Sequence, residues 1–367
     1  MKKNKIWAFV AALAIVPFAA CSDWTEIEAE RLTDYDNTEV ARPDSYYKAL
    51  REWKKSDHAI SFGWFSGWGE HSASTTNMLA GIPDSMDVVS LWGNWSNLTE
   101  ERKQDLKHVQ QTKGTKIVFC SFTQTVGQNF TPEEHNATVE DRHAFWGWVD
   151  GDEEAIAAAI RKYAGAIIDT LNKYGYDGFD IDFEPHYGYS GELASYNDRM
   201  HILISELGKH IGPKSPNPGK LLIVDGEPQS LDAETGEYIS YFVIQAYSGT
   251  SGDTSLWYNS DVNLNARLQQ GIAKFGALLG EETVTNRYVM TENLESALDC
   301  LKGGYRYYDA SGNLASYPSL VGMAMWEPEN GYRKGGFGAY QFGYEASNSP
   351  SYKWMRTAIQ AANPAVN

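Results

Sequence analysis

Eight short apolar segments recur between residues 60 and 327 of this chain, and most are separated by stretches with helical periodicity. Apolar runs of this kind are typical of parallel strands that helices cover on the outside. Their alternation with helices predicts an α/β fold, a single (β/α)8 TIM barrel. A doubly wound open sheet is the alternative, but no glycine-rich phosphate loop follows the first segment, which favours the barrel. The segments cover residues 60–65, 86–92, 116–122, 177–184, 220–227, 241–247, 287–292 and 320–327.

The stretches between these segments predict the helices and the division of the chain. Residues 21–57 are expected to form an acidic tether and a short N-terminal helix that starts at Pro43. The barrel is expected to cover residues 58–363. Its clearest helix covers residues 153–175, where Ala, Ile and Leu repeat at helical spacing and Gly175 ends the run. Further helices are predicted at 101–114, 195–212, 263–280 and 349–363.

The N-terminus has the pattern of an export signal. A basic MKKNK is followed by the apolar run IWAFVAALAIVPFAA, which is too short for a confident membrane span. Ala19-Ala20-Cys21 resembles a bacterial lipobox, and the acidic residues after it resemble the export signal of Bacteroidetes surface lipoproteins. The resemblance implies a signal peptide over residues 1–20, lipidation of Cys21 and an anchor in the outer membrane at the cell surface. A plain secretory signal peptide is the alternative.

Composition and charge exclude several kinds of partner. The net charge of −17 and the pI of about 4.9 argue against nucleic acid and anionic membrane surfaces, so membrane contact is expected only through the lipid. The 12 Trp and 22 Tyr residues could stack on sugar rings or simply fill a large core. Cys120 and Cys300 are predicted to be buried free thiols. No metal-ligand spacing is present, so neither a metal nor a cofactor is predicted.

The segment DGFDIDFE, residues 177–184, places three acids on one face of a strand. Alternate residues of a strand point to opposite faces, so Asp180, Asp182 and Glu184 are expected to point into the barrel. A solvated edge strand is excluded because the fourth strand of a closed barrel has no free edge. A calcium loop is excluded because apolar residues separate the acids and the later ligands are missing. Buried carboxylates without a nearby cation in the sequence imply shared protons or a catalytic role.

The geometry of such a strand narrows the chemistry. Asp182 and Glu184 would lie about 6–7 Å apart along the strand, at the end of the barrel where active sites are found. Their repulsion is expected to raise the pKa of at least one of them. Glu184, nearest the open end, is then the expected general acid. Paired carboxylates between aromatic walls are typical of a glycosidase, and their backbone spacing alone leaves the stereochemistry open.

The segment also resembles a known family motif. It resembles the D-x-x-D-x-D-x-E signature of glycoside hydrolase family 18, a family of (β/α)8 barrels, and matches it at all four acids. The resemblance implies that Glu184 protonates the glycosidic oxygen and that Asp182 orients the 2-acetamido group of the substrate. The acetamido oxygen would then be the nucleophile, with retention of configuration. The resemblance assigns Asp180 to the shell behind the catalytic pair and gives Asp177 a structural role.

The end of the sixth strand points to one branch of that family. Gln245 and Tyr247 resemble the Gln-x-Tyr of its endo-β-N-acetylglucosaminidases, and chitinases more often carry Met at the Gln position. The resemblance implies that Tyr247 donates a hydrogen bond to the acetamido carbonyl and that Gln245 binds the same sugar. Trp326 resembles the Trp that the family places beneath the cleaved sugar; packing at the barrel mouth is the alternative. Trp64, Trp92 and Glu292 are further candidates for substrate binding, with ordinary packing as the alternative for each.

Together these features predict a mannosyl-glycoprotein endo-β-N-acetylglucosaminidase. The expected substrate is an N-glycan or glycoprotein, cut in its GlcNAc-β-1,4-GlcNAc core without a cofactor. A chitinase of the same family and a non-catalytic glycan-binding protein on the same barrel are the alternatives. Because Asp182 and Glu184 are both intact, the sequence favours an enzyme.

Overall fold

Eight parallel strands close into a barrel in the order in which they follow one another along the chain. The structure, a computed structural model, describes residues 42–70, 75–248 and 259–364. The predicted signal peptide, Cys21 and most of the predicted tether lie outside these residues. The predicted (β/α)8 fold is confirmed. The strands are β1 Ile60–Ser66, β2 Val88–Trp92, β3 Lys116–Phe122, β4 Gly178–Phe183, β5 Leu221–Gly226, β6 Tyr241–Gln245, β7 Tyr288–Asn293 and β8 Gly336–Tyr340.

Helices pack around the outside of this barrel. The longest, Glu153–Tyr174, begins where the Asp152 side chain accepts hydrogen bonds from two backbone N–H groups, and it ends at Gly175 with φ of 78°. No helix in the described ranges is both long enough and apolar enough for a membrane span. The helices are α1 Asp44–Trp53, α2 Glu100–His108, α3 Val139–Trp146, α4 Glu153–Tyr174, α5 Asn197–Leu207, α6 Asp261–Leu279, α7 Glu281–Arg287, α8 Ala297–Lys302, α9 Ser319–Met325 and α10 Lys353–Ala362.

The eighth strand is not where the sequence pattern predicts it. The apolar run 320–327 forms most of α9, whose residues from Ser319 to Ala324 are all buried. A short run that is apolar all round fits a buried helix as well as a strand, so periodicity does not distinguish the two. The true strand β8 reads GFGAY and has weak strand propensity because of its glycines. Gly336 and Gly338 are needed because a Cβ there would collide with backbone oxygens of β1.

The core has two parts. A large outer cluster fills the space between the strands and the helices. A smaller inner cluster fills the barrel itself with inward side chains such as Phe62, Val118, Ile223 and Val289. Apolar side chains therefore fill the barrel interior below the acids of β4.

Glu345 shows how a buried acid can serve structure alone. It is fully buried, and its carboxylate accepts hydrogen bonds from the backbone N–H groups of Trp354 at 2.7 Å and Met355 at 3.2 Å, in the first turn of α10. Burial raises its pKa to about 7. Glu345 is not among the residues that line the cavity described next, which makes it a useful control for the acids that are.

Candidate active site

A cavity of about 220 Å³ opens at the C-terminal ends of the strands. Its walls combine carboxylates with aromatic rings, and they contain six of the residues predicted from the sequence. Those six are Trp64, Trp92, Asp182, Glu184, Gln245 and Tyr247, and the rest of the lining consists of Phe122, Tyr189, Asp225, Asn293, Glu295 and Tyr340.

Strand β4 holds its acids as the alternation predicts. Asp180 and Asp182 are buried within β4, while Glu184 is partly buried directly after it. Asp182 pairs in register with Phe122 on β3 and with Asp225 on β5. Parallel neighbours in register point to the same side of a sheet, so these three side chains converge inside the barrel.

Asp180 lies deepest among the acids. One of its carboxylate oxygens accepts hydrogen bonds from Trp64 Nε1 at 3.0 Å and Ser90 Oγ at 2.6 Å. The other oxygen is buried without a partner. Burial raises the pKa of Asp180 to about 6, even though these hydrogen bonds act in the opposite direction. Trp64 is buried, and it both lines the cavity and donates a hydrogen bond to Asp180.

Asp182 and Glu184 share a hydrogen bond at the cavity wall. The pKa of Asp182 is well above its ordinary value, first because of burial and then because of the charges of Glu184 and Asp180. The pKa of Glu184 is also raised, mainly by burial, while hydrogen bonds with Gln245 and Asp182 lower it. The expected rise in pKa is thus present in both residues, with burial as its main cause and charge repulsion as a further cause at Asp182. The pair is built to hold one proton between two oxygens.

A fourth carboxylate, Asp225 on β5, completes the cluster. It is fully buried, accepts a hydrogen bond from Gln245 Nε2 at 2.9 Å, and lies 3.7 Å from the Cys120 thiol. It is not among the residues predicted from the sequence. A signal was present, because KLLIVDGE carries alternating acids at Asp225 and Glu227, and Asp225 has the same inward register as Asp182.

Aromatic rings form the rest of the cavity wall. Tyr247 lies beside Tyr340, with ring centroids 6.1 Å apart and planes inclined by 28°. Trp92 meets the edge of Phe122 at 5.2 Å, and Phe122 stacks on Tyr189 at 4.3 Å. Ring faces of this kind suit the apolar faces of a pyranose. Tyr340 was missed because it ends the strand that the sequence pattern misplaced.

Two predicted substrate-binding residues lie elsewhere. Trp326 follows α9 rather than a strand, and its carbonyl accepts a hydrogen bond from Lys334 just before β8, at the opposite end of the barrel. Its ring is 2% exposed, so the predicted position beneath a sugar is wrong. Glu292 is fully buried, and its carboxylate accepts from the backbone N–H and the hydroxyl of Ser248. Its hydrogen-bonding capacity is used inside the protein, so it does not face the cavity.

Asp177 marks the lower end of β4. Its carboxylate accepts hydrogen bonds from Gln110 Nε2 at 2.7 Å and from the backbone N–H of Ile117 at 3.0 Å. These contacts tie the start of β4 to β3 and to the turn after α2. The geometry suits the structural role that the motif implies.

One group of buried side chains has the donor types of a metal site. Cys120, Asp182 and Asp225 place one potential ligand atom each within 4.8 Å of one another. Metal binding requires the thiolate, but burial and the neighbouring carboxylates raise the pKa of the Cys120 thiol well above its usual range. These surroundings favour protonated side chains. Cys120 and Cys300 are both buried free thiols, as predicted.

The arrangement of acids, aromatic walls and barrel agrees with a known family model. The model described as glycoside hydrolase family 18, BT1044-like, matches residues 25–361. The chain belongs to glycoside hydrolase family 18. The predicted family is therefore confirmed, and the chain is a glycoside hydrolase.

The individual relatives have low sequence identity to this chain. Endo-β-N-acetylglucosaminidase F2 of Elizabethkingia meningoseptica is 23% identical over 348 residues, which cover 86% of this chain and 85% of the relative. Endo-β-N-acetylglucosaminidase EndoS of Streptococcus pyogenes serotype M1 is also 23% identical, over 307 residues. That match covers 76% of this chain and 29% of EndoS, so the chain spans less than a third of that protein.

Solved structures show the same fold. A selenomethionine Glu-to-Gln variant of BT1044 shares 30% identity and a TM-score of 0.74, with 89% of this chain and 95% of that chain covered. An endo-β-N-acetylglucosaminidase from Cordyceps militaris, solved as a mutant with fucosyl-N-acetylglucosamine-Asn, is 19% identical with a TM-score of 0.55. That match covers 90% of this chain and 99% of the other.

Proposed function

We propose that this family 18 hydrolase is a mannosyl-glycoprotein endo-β-N-acetylglucosaminidase that cuts the GlcNAc-β-1,4-GlcNAc core of N-linked glycans. The observation that carries the proposal is the hydrogen-bonded pair of Asp182 and Glu184 in an aromatic cavity that also contains Gln245 and Tyr247. The two relatives with endo-β-N-acetylglucosaminidase names support the same reading.

The proposed reaction has two steps. In the first, Glu184 gives its proton to the glycosidic oxygen while the acetamido oxygen of the cleaved sugar attacks C1, and the bond from C1 to the leaving oxygen breaks. Asp182 accepts a hydrogen bond from the acetamido N–H and stabilises the positive charge of the resulting oxazolinium ion. In the second, Glu184 takes a proton from a water molecule whose oxygen attacks C1. The bond from C1 to the acetamido oxygen breaks, which opens the oxazolinium ring and restores the acetamido group. Two displacements at C1 give retention of configuration.

A cleavage assay on a high-mannose glycoprotein tests the proposal. We expect loss of one glycan mass per site, with a single GlcNAc left on the protein, and a new reducing end that is initially the β-anomer by proton NMR. Chitin oligomers are the matched substrate, since they contain the same linkage without mannose. Cleavage of chitin oligomers alone would make the protein a chitinase, and binding without turnover by the unaltered protein would make it a glycan-binding protein. An α-anomeric first product would contradict the mechanism.

We also propose that the mature protein is a lipoprotein anchored at the outer membrane and exposed at the cell surface. The support is the lipobox-like Ala19-Ala20-Cys21 after a basic and apolar leader, followed by acidic residues. In a Bacteroidetes-type host we expect the protein in the membrane fraction and accessible to protease on intact cells. The Cys21→Ser variant should lose membrane association while keeping its specific activity. Membrane association unchanged in that variant would contradict lipidation.

A further inference from the structure

Asp225 connects the general acid to the side chain that is predicted to bind the cleaved sugar. The Gln245 amide nitrogen donates to Asp225 Oδ1 at 2.9 Å, and Gln245 also forms a hydrogen bond with Glu184. Strand register places Asp225 directly beside Asp182. The fully buried Asp225 carboxylate thus accepts a hydrogen bond from the Gln245 amide and also lies beside Asp182, the partner of Glu184.

The surroundings of Asp225 contain acids and weak acids from every adjoining strand. Cys120 faces it from β3, and Tyr247 from the segment after β6. Asp180, Asp182 and Glu184 act on it from β4, and each raises its pKa, after burial as the largest cause. Gln245 is the group that favours its ionised form. An acid in such a place is costly to bury, so a stabilising or catalytic purpose must offset that cost.

We propose that Asp225 is a positioning residue that holds the Gln245 amide nitrogen against Glu184 and adds a carboxylate to the proton-sharing cluster of Asp180, Asp182 and Glu184. The inference rests on the proposed glycosidase function. It extends that function, because Asp225 lies outside the acidic motif on β4. Asp225 acts through Gln245 and Asp182 and does not itself meet the reacting atoms.

Two variants separate its two contributions. Asp225→Asn keeps the shape and an oxygen that can accept from Gln245, so we expect kcat within about tenfold of the unaltered protein. It also removes one acid that interacts with the others, so the remaining acids lose their protons at lower pH. The alkaline limb of the pH profile of kcat should therefore move to lower pH by at least about half a unit. Asp225→Ala also loses the hydrogen bond, and we expect a fall in kcat of about 10–100-fold.

The link through Gln245 predicts strong non-additivity. If Asp225 acts by orienting Gln245, the double variant Asp225→Ala with Gln245→Ala should be no slower than the slower single variant, within about threefold. Glu345→Gln is the control, a buried acid outside the cavity, and it should leave the pH profile of kcat in place. Independent, multiplying effects of the two substitutions, or an Asp225→Asn profile that coincides with the unaltered one, would overturn the proposal.

A substrate-free measurement keeps this test separate from the proposed function. A carboxylic acid with a raised pKa in the folded state destabilises the fold progressively as pH rises from its unfolded value through its folded value. The unaltered protein should therefore lose Tm as the pH rises above about 4, the ordinary value for Asp, and Asp225→Asn should lose less over the same range. If the unaltered protein cleaves no glycan, the proposed function fails while this comparison still decides whether Asp225 belongs to the charged cluster. Parallel Tm curves would remove it from that cluster.

Discussion

Replacing Glu184 with Gln is expected to lower kcat by about 10³-fold or more on an N-glycan substrate, with little change in KM. Gln has nearly the same size and can still accept the hydrogen bonds from Asp182 and Gln245. It has no proton to give to the leaving oxygen, and loss of a general acid costs about 10²–10⁴-fold. An interaction made only in the transition state lowers kcat and kcat/KM together. Steady-state kinetics with the glycoprotein, and binding of the intact glycan by calorimetry, measure the two parts separately.

The control for this substitution is Glu345→Gln, which makes the same chemical change in a buried acid away from the cavity. We expect its kcat within about threefold of the unaltered protein. A lower Tm with unchanged kcat would show that removing a buried carboxylate is not enough to stop turnover. A Glu184→Gln variant with a near-normal rate would remove Glu184 from the acid role.

The direction in which the β4 acids point could be predicted, because their spacing in the sequence fits one face of a strand. Strict alternation over five residues places Asp180, Asp182 and Glu184 on one face, and a closed barrel turns that face inward. Asp225 follows the same rule on β5. The apolar run of β5 ends with only two alternating acids, Asp225 and Glu227, a shorter repeat than the three acids of β4. The register with Asp182 is what brings Asp225 into the cluster.

Glu292 and Trp326 show where residue type misleads. An acid at the C-terminal end of a barrel strand is expected to face the mouth, but the Glu292 carboxylate accepts hydrogen bonds from Ser248 and from the Asn293 N–H. Ser248 lies in the loop after β6, and no local sequence pattern encodes its contact with Glu292. Trp326 was placed by the assumption that LVGMAMWE is a strand. Since that run is a helix, it carries Trp326 to the lower end of the barrel, and Tyr340 ends the true eighth strand.

Replacing Asp182 with Asn is expected to lower kcat by about 10²–10³-fold and to move the alkaline limb of its pH profile to lower pH. Asn can still form a hydrogen bond with Glu184, so the shape of the pair survives. It cannot become an anion, so the charge that would stabilise the oxazolinium ion is lost, a kind of loss that costs about 10²–10³-fold in kcat. Without an ionisable neighbour, Glu184 gives up its proton more easily. The protonated general acid is therefore lost, and kcat falls, at a lower pH.

Kinetics between about pH 4 and pH 9 would measure both effects, with Asp87→Asn as the matched control. Asp87 is a buried acid at the opposite end of the barrel, where its carboxylate accepts from the Ser61 N–H and hydroxyl, each at 2.8 Å. Its substitution should lower Tm and leave the pH profile unmoved. A slow Asp182→Asn variant whose alkaline limb stays in place would mean that Asp182 stabilises charge without sharing the proton of Glu184. Since the structure joins these two side chains by a hydrogen bond, both effects should appear together.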